Sequence, residues 1–259
     1  MVDFSAVSLE GRVAVVTGGL GGLGAGAVES MTALGAHVYV LDKAPLGTAP
    51  DVGCHVGRFS VDVRNRAAIR EAFDEIVERE GRLDVLVNAH GVRQDFSSVE
   101  DTRDAEYERV MSINTYGAFL TCGEAARVMK PNGFGRIVNL ASQAARAPWP
   151  DLGIYGASKA AVVAMTQTLA TELGRYGITA NAICPGVMLT DMTEKSYADI
   201  SNSTGRPVAD LLAEKAATLP VRRLGHGGDV GGLAAWLASD ASSFMTGATL
   251  NLTGGEQFF

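Results

Sequence analysis

Three side chains in the middle of the chain have the types and spacing needed to move a proton. Tyr155 and Lys159 are four residues apart in Tyr155-Gly-Ala-Ser-Lys159, and the small and apolar residues around them favour a helix. Residues four apart lie on one face of a helix, so the phenol and the ammonium can act on one substrate. Ser142 lies thirteen residues earlier, at the end of the apolar run from Arg136 to Leu140. Its hydroxyl can hold a carbonyl or alcohol oxygen while the tyrosine transfers the proton.

The positive charge of Lys159 can stabilise the phenolate, which is the form in which Tyr155 acts as a base. A phenol titrates near pH ~10, and lowering that value to about 7 requires ~4 kcal/mol. An ammonium ~4 Å away contributes about that much at an effective dielectric constant of ~20. We therefore expect Lys159 to lower the pKa of Tyr155.

A glycine-rich segment near the start of the chain predicts a binding site for a dinucleotide. The β-branched run Arg12 to Thr17 leads directly into a glycine-rich loop, and a helical pattern follows from Ala25 to Leu34. Backbone amides without side chains at a helix N-terminus form a site for a pyrophosphate. The spacing is Thr17-Gly18-x-x-x-Gly22-x-Gly24.

The next strand, His37 to Asp42, ends in a carboxylate. An acidic residue there accepts hydrogen bonds from the adenosine ribose and repels a 2′-phosphate, which favours NAD over NADP. Lys43 argues the other way, because a basic residue can accommodate the phosphate. The alternative is that Asp42 is an ordinary turn residue.

These motifs together resemble the short-chain dehydrogenase/reductase family, in the single-domain branch with the TGxxxGxG and YxxxK patterns. The resemblance covers nearly the whole chain, and it implies a Rossmann-type α/β fold. That fold is one doubly wound parallel sheet of about seven strands with helices on both faces, in a single domain over residues 1–259. The alternation of strand and helix patterns along the chain agrees with it.

The resemblance also implies the residues that bind the cofactor. They are Gly18, Gly21, Gly22, Leu23, Gly24, Asp42, Asp62, Val63, Asn88, Gly91, Tyr155, Lys159, Pro185, Gly186, Val187 and Thr190. Asp62 would face the adenine amino group, although it could instead cap the helix that begins near Asn65. The Pro185 segment would contact the nicotinamide amide, with an ordinary turn and helix cap as the alternative. Many relatives have Asn-Asn-Ala-Gly where this chain has Asn88-Ala-His-Gly91, so His90 could tune the site or serve only in packing.

Asn114 lies inside a pattern that predicts one long helix from Asp104 to Met129. An amide there usually points to solvent, whereas relatives use this asparagine to hold a water that connects the lysine to bulk solvent. The resemblance thus makes Asn114, Ser142, Tyr155 and Lys159 the catalytic set.

The substrate pocket is predicted to be mainly apolar. Its expected lining is Ser142, Ala144, Trp149, Tyr155, Met188 and Met192. Arg146 could bind an anionic substrate, although a surface position is the simpler interpretation. Residues 188–222 contain no strand pattern and are expected to form a lid. The small and apolar face of the helix after Tyr155 and the terminal phenylalanines suggest subunit contacts, and the resemblance points to a homotetramer.

Composition excludes several classes of protein. The chain has 259 residues and a net charge of -7, without a basic block, so nucleic acid and anionic membranes are poor partners. No signal peptide or bilayer-length apolar run is present, and three separated cysteines indicate neither a disulfide framework nor a metal site. A cytoplasmic location fits best.

The sequence thus predicts an NAD(H)-dependent oxidoreductase that interconverts a secondary alcohol and a ketone, on a mainly apolar, cyclic or aromatic substrate. Alternatives are a 3-oxoacyl carrier-protein or CoA-thioester reductase, whose usual NADPH preference Asp42 opposes, and a sugar-nucleotide epimerase or dehydratase, which this glycine spacing does not suit. A non-catalytic NAD-binding sensor or scaffold is the alternative from another class.

Overall fold

A seven-stranded parallel sheet forms the centre of the molecule. The computed structural model describes residues 4–45 and 57–258. The strands are β1 (Val13–Thr17), β2 (His37–Asp42), β3 (Gly57–Ser60), β4 (Val85–Asn88), β5 (Gly135–Leu140), β6 (Ile178–Pro185) and β7 (Thr249–Leu252). Their order is β3-β2-β1-β4-β5-β6-β7, and every neighbouring pair is parallel. The order reverses direction between β1 and β4, which is where such sheets bind ligands.

Helices cover both faces of the sheet, as the sequence predicts. They are α1 (Gly22–Ala33), α2 (Arg66–Glu80), α3 (Asp104–Met111), α4 (Gly117–Met129), α5 (Gly153–Leu173), α6 (Asp191–Thr204), α7 (Val208–Thr218) and α8 (Gly227–Ala238). Strand residues alternate between the two faces: Val15 packs in a core with α2, α4 and α5, whereas Val16 packs with α1 and α8. Burial on both faces explains why the strands read as continuous apolar runs.

The predicted helix from Asp104 to Met129 forms with these bounds, but it contains a π-helical turn. A π-helical turn at Ser112–Tyr116 separates α3 from α4 and contains Asn114, whose side chain is buried instead of pointing to solvent. The amide of Asn114 bonds to the backbone of Val92 in the loop after β4, in both directions. A π turn inside a helix is frequently found at a functional site.

The segment between β6 and β7 contains no strand, as predicted, but it is helical. Helices α6 and α7 meet at Gly205, which has a φ of +72° that favours glycine. Whether this segment moves as a lid stays a prediction. Residues 55 and 56 of the expected third strand and Phe259 of the expected subunit contact lie outside the described residues. No helix among those described has the length and apolarity needed to cross a bilayer.

Helices α1 and α8 touch backbone to backbone, and this contact sets the position of the glycine-rich loop. A Cβ on Gly26 would lie 2.1 Å from the carbonyl oxygen of Gly227, and one on Gly231 would lie 2.0 Å from that of Gly26. Only glycine permits this approach. Because α1 starts at Gly22, a shift of α1 against α8 would also displace the loop before it.

We predict that Gly231→Ala destabilises the protein by about 3 kcal/mol, because the added methyl group overlaps the α1 backbone. Its melting temperature should fall by roughly 10 °C. Gly232, the next residue on α8, is the matched control: it is exposed and a Cβ there meets nothing within 4 Å. Gly232→Ala should leave the melting temperature unchanged or raise it slightly, because alanine favours helix. Equal melting temperatures for the two variants would contradict this account of the contact.

Candidate active site

Two cavities open at the carboxyl edge of the sheet, and they meet at Leu23, Thr190 and Met192. The first has a volume of about 300 Å³ and lies over β1 and β2. Its lining includes ten predicted cofactor residues, namely Gly18, Gly21, Gly22, Leu23, Gly24, Asp42, Asp62, Val63, Gly91 and Thr190. These residues, distant in the chain, are therefore brought together.

The glycine-rich loop has the shape of an anion site. Gly18 has a φ of +64°, and a Cβ there would lie 2.8 Å from the backbone of His90. A Cβ on Gly24 would lie 2.2 Å from the carbonyl oxygen of Gly18. Helix α1 begins immediately after the turn, so its first backbone amides are available to a ligand. These residues fit the pyrophosphate of a dinucleotide, because the anion can approach bare backbone amides at a helix N-terminus.

The carboxylate of Asp42 lies at the end of β2 and lines the same cavity. It accepts hydrogen bonds from the backbone amides of Ala44 (3.1 Å) and Leu20 (3.4 Å). These bonds hold it beside the glycine-rich loop. Lys43 and Arg64 also line the cavity, so one carboxylate and two cations surround the region expected to bind ribose.

Asp62 is not a helix cap. The side chain of Asn65 caps α2 by accepting from the amide of Ala68. The carboxylate of Asp62 instead accepts from the backbone and guanidinium of Arg64, which lowers its pKa. With the cap excluded, the predicted contact with adenine remains as a prediction, and Asp62 lines the cavity in which it would occur.

Asn88 does not line either cavity. Its side chain is 3% exposed and bonds to Thr121 (2.8 Å) and Asn139 (2.8 Å) beneath them. The side chain of Asn88 therefore belongs to the framework below the site, and its contact with the cofactor stays a prediction.

His90 is a neutral residue of the first cavity. Burial, together with the nearby Lys159, lowers its pKa to about 3. Its Nδ1 is 2.6 Å from the hydroxyl of Thr17, and a hydrogen bond with the backbone of Ile113 acts against the fall in its pKa. An imidazole that stays neutral at working pH cannot act there as a cation.

The second cavity, of about 200 Å³, lies over β5 and β6. All six predicted substrate residues line it: Ser142, Ala144, Trp149, Tyr155, Met188 and Met192. Pro185, Gly186 and Val187 line this cavity and not the first one, and Thr190 lines both. Thr190 is also the N-cap of α6. The residue therefore caps a helix, as one interpretation of the sequence expected, and it also lies where the two cavities meet. Arg146 is exposed and outside this lining.

The pKa of Tyr155 differs from the expectation. Burial raises it, while the hydroxyl of Ser142 and the charge of Arg93 act in the opposite direction. Lys159 is not among the groups that shift it. In the protein alone the phenol is therefore protonated at neutral pH, and the lowered value predicted from the Tyr155–Lys159 spacing is not found.

Lys159 is buried behind the two cavities. Its Nζ donates to the carbonyl oxygen of Leu140 (2.8 Å), and burial lowers its pKa to about 8. A Cβ placed on Gly91 would lie 3.1 Å from this Nζ and 3.3 Å from Oδ1 of Asn114. The absence of a side chain at Gly91 thus lets the lysine and the asparagine approach the same point. Asn114 also donates to Ser158, one residue before Lys159.

Several residues of the second cavity were not predicted from the sequence, and two of these have polar atoms that are unpaired within the described part of the chain. Arg93 and Gln143 both line it, and each has a buried polar atom without a partner among the described residues. Their positions in the chain could have identified them. Arg93 follows the end of β4 by five residues and Gln143 follows Ser142 after β5, and ligands bind where such strands end.

The glycine-lined cavity and the adjoining cavity with a serine and a tyrosine define the site of a dinucleotide-dependent oxidoreductase. Comparison with known proteins identifies the family. A family model described as enoyl-(acyl carrier protein) reductase matches residues 18–257. The chain belongs to the short-chain dehydrogenase/reductase family.

Individual relatives match almost end to end. The chain is 34% identical to a sorbitol dehydrogenase of Cereibacter sphaeroides, with 96% of this chain and 98% of the relative covered. It is 34% identical to an NAD-dependent glycerol dehydrogenase of Listeria innocua, over 94% of this chain and 93% of the relative. The solved structure of NAD⁺-bound xylitol dehydrogenase superposes with a TM-score of 0.88 at 31% identity, covering 95% of this chain and 99% of that one.

We predict that Asp42→Asn raises the ratio of NADP to NAD efficiency by about tenfold, equivalent to ~1.4 kcal/mol. The amide removes the charge that repels a 2′-phosphate, while Lys43 and Arg64 remain. Asp42→Ser, which also shortens the acceptor of the ribose hydroxyls, should lose more efficiency with NAD. Steady-state kinetics with both cofactors measures the ratio. An unchanged ratio in both variants would mean that Asp42 does not set the preference.

Proposed function

We propose that the protein interconverts a secondary alcohol and a ketone with NAD(H) as its cofactor. The observation that supports this most is that Ser142 and Tyr155 line a cavity that adjoins the glycine-lined cavity at Leu23, Thr190 and Met192. A substrate in the second cavity can therefore meet the reactive end of a dinucleotide in the first. A bound dinucleotide would supply the hydride acceptor for oxidation and the hydride donor for reduction.

The chain's own residues handle the proton and the orientation. The hydroxyl of Ser142 accepts from the amide of Ala144 (3.1 Å), which leaves its hydrogen to bond the substrate oxygen. Tyr155 takes the alcohol proton in oxidation and donates it in reduction. Because burial keeps the phenol protonated in the protein alone, its starting form suits the reduction. Oxidation needs the phenolate and should become faster as the pH rises.

Lys159 and Asn114 assist this proton transfer without contacting the substrate. With a pKa of about 8, Lys159 carries a positive charge over most of the physiological range. We propose that it favours the tyrosinate and binds the cofactor ribose once ligands are bound. Asn114 holds the loop after β4 through Val92, and it would anchor the route by which the proton reaches solvent.

The proposed cofactor is NAD. Asp42 at the ribose end of the cavity supports this choice, as do the NAD-dependent glycerol dehydrogenase and the NAD⁺-bound xylitol dehydrogenase among the similar proteins. Asp42 also argues against the alternative of a 3-oxoacyl reductase with the usual NADPH preference.

For the substrate we propose a molecule with a mainly apolar body. Trp149, Leu152, Met188 and Ile200 are among the side chains that surround Tyr155, and such lining favours an apolar ligand. A second candidate is a polyol, because the relatives are named for sorbitol, glycerol and xylitol.

We also propose a cytoplasmic homotetramer. Tyr107, Tyr116 and Phe119 form an exposed aromatic patch on the π turn and the helices that flank it, where about half of each side chain is accessible. Such a patch marks an interaction surface. A monomeric mass in solution would contradict the assembly.

We predict that Tyr155→Phe lowers turnover by at least about 100-fold while NADH affinity stays within about twofold, since general acid–base catalysis contributes factors of ~10²–10⁴. Cofactor reduction at 340 nm on a panel of secondary alcohols, and NADH fluorescence titration, measure the two quantities. Tyr176→Phe is the control, because Tyr176 lines neither cavity and phenylalanine keeps the ring that contacts Lys130 and Arg175. Turnover retained in Tyr155→Phe would remove the tyrosine from the mechanism.

A further inference from the structure

The substrate cavity contains a guanidinium that neither gives nor takes the transferred proton, although its charge opposes the rise in the pKa of Tyr155. Arg93 lines this cavity together with Ser142 and Tyr155, and its side chain is only 12% exposed. Its Nη1 is buried and has no hydrogen-bond partner among residues 4–45 and 57–258. A buried donor without an acceptor is unfavourable, and more so when it is charged. An oxygen atom of a bound substrate can supply the missing acceptor.

The guanidinium is held in place from several sides. It lies over the ring of Phe96, 4.2 Å from the centroid, and its Nη2 is 3.6 Å from Oδ2 of Asp199 on α6. The backbone carbonyl of Arg93 accepts from Arg109 (2.9 Å). The next residue, Gln94, accepts from the backbone amide of Tyr155 (2.8 Å), which ties this loop to the first turn of α5. The position of Arg93 is thus fixed relative to the catalytic tyrosine.

A second unpaired atom in the same cavity defines the kind of ligand group. Oε1 of Gln143 is buried without a partner among the described residues, while its Nε2 donates to Glu256 (3.2 Å). Besides Ser142 and Tyr155, the cavity therefore offers an unused donor on Arg93 and an unused acceptor on Gln143. A hydroxyl group can accept from the first and donate to the second.

The surrounding charges favour a neutral ligand group over a carboxylate. Burial lowers the pKa of Arg93, and the carboxylates of Asp199, Asp95 and Glu106 oppose that shift. Glu106 is paired with Arg109, but Asp199 and Asp95 already compensate the charge of Arg93. A substrate carboxylate would bring a further negative charge next to them and next to the unpaired oxygen of Gln143.

We propose that Arg93 is a specificity residue that binds a second oxygen of the substrate, a neutral hydroxyl or ketone on the carbon next to the reacting carbinol. The preferred substrates are then vicinal diols and α-hydroxyketones with an otherwise apolar body. This inference rests on the proposed function and names its substrate class. Arg93 anchors the second oxygen, Gln143 accepts its hydrogen when it is a hydroxyl, and the apolar side chains surround the carbon skeleton.

The first test compares three small substrates that differ in one group: 2,3-butanediol, 2-butanol and 2-hydroxybutanoate. With NAD, the protein should favour the diol over the mono-alcohol in kcat/KM by at least tenfold, and the hydroxy acid should be the poorest. Arg93→Met should reduce the preference for the diol by roughly 10- to 100-fold, the size expected for one hydrogen bond from a charged donor. Most of that loss should be in KM.

Two further variants separate binding from a general structural effect. Arg93→Lys keeps a charged donor and should restore part of the preference. Arg79→Met is the matched control, because Arg79 lies half exposed at the end of α2, outside both cavities, and it should leave the preference unchanged. An Arg93→Met protein with the wild-type preference, or a wild-type preference for the hydroxy acid, would overturn the proposal.

A binding measurement keeps the test independent of turnover. In Tyr155→Phe protein saturated with NAD, the diol should raise the melting temperature more than 2-butanol does, because a ligand stabilises the state that binds it. The difference should disappear in the Tyr155→Phe/Arg93→Met double variant. If no alcohol is oxidised by the wild-type protein, the proposed function fails, and this measurement still decides on Arg93. Equal shifts for diol and mono-alcohol, or no shift with either, would overturn the role of Arg93.

Discussion

The carboxyl edge of the sheet is held together by a chain of buried side-chain hydrogen bonds, and both cavities rest on it. Asn88 donates to Asn139 (2.8 Å), which in turn donates to Thr166 of α5 (2.9 Å), while Thr121 of α4 donates to Asn88 (2.8 Å). An unpaired polar group at such depth costs about 1–3 kcal/mol, so a slip of β4 against β5 would break several bonds at once. The network therefore fixes the strand ends from which Gly91 and Ser142 project.

Above this network, burial disfavours the two charged forms that the proposed reaction uses, the phenolate of Tyr155 and the ammonium of Lys159. It raises the pKa of Tyr155 and lowers that of Lys159 to about 8, so both groups are shifted toward their neutral forms. Desolvation disfavours the charged form of any group, and only a nearby opposite charge or a hydrogen bond to the charged form compensates. The structure provides such groups at Ser142 and Arg93 for the phenol and at Leu140 for the ammonium. The protein alone thus places the reacting groups, and bound ligands complete their electrostatics.

Local patterns were sufficient to predict the fold, and most of the residues predicted for the site line the two cavities. The β-branched runs predicted the buried strands, and the spacing from Gly18 to Gly24 predicted the turn into α1, because these features depend on neighbours in the chain. The π turn was missed because the bonds between Asn114 and Val92 join segments 22 residues apart. Arg93 was missed for a similar reason. The orientation of its side chain depends on contacts with Phe96 and with Asp199 of α6, and the contact with α6 does not follow from sequence spacing. The Tyr155–Lys159 spacing predicted a lowered pKa for Tyr155, whereas burial raises this pKa in the protein without ligands, and burial depends on tertiary packing that spacing does not show.

The most direct measurement of the central claim is the transfer of an isotope label. A panel of secondary alcohols deuterated at the carbinol carbon would be oxidised with NAD, and the NADH formed would be analysed by mass spectrometry and by NMR. The proposed reaction predicts that NADH gains one deuterium, on a single face of the nicotinamide ring, because the carbinol hydrogen moves directly to the cofactor in a fixed geometry. NADH formed without deuterium would contradict direct transfer, and a panel that yields no NADH while the protein still binds NAD would contradict the assignment as an alcohol dehydrogenase.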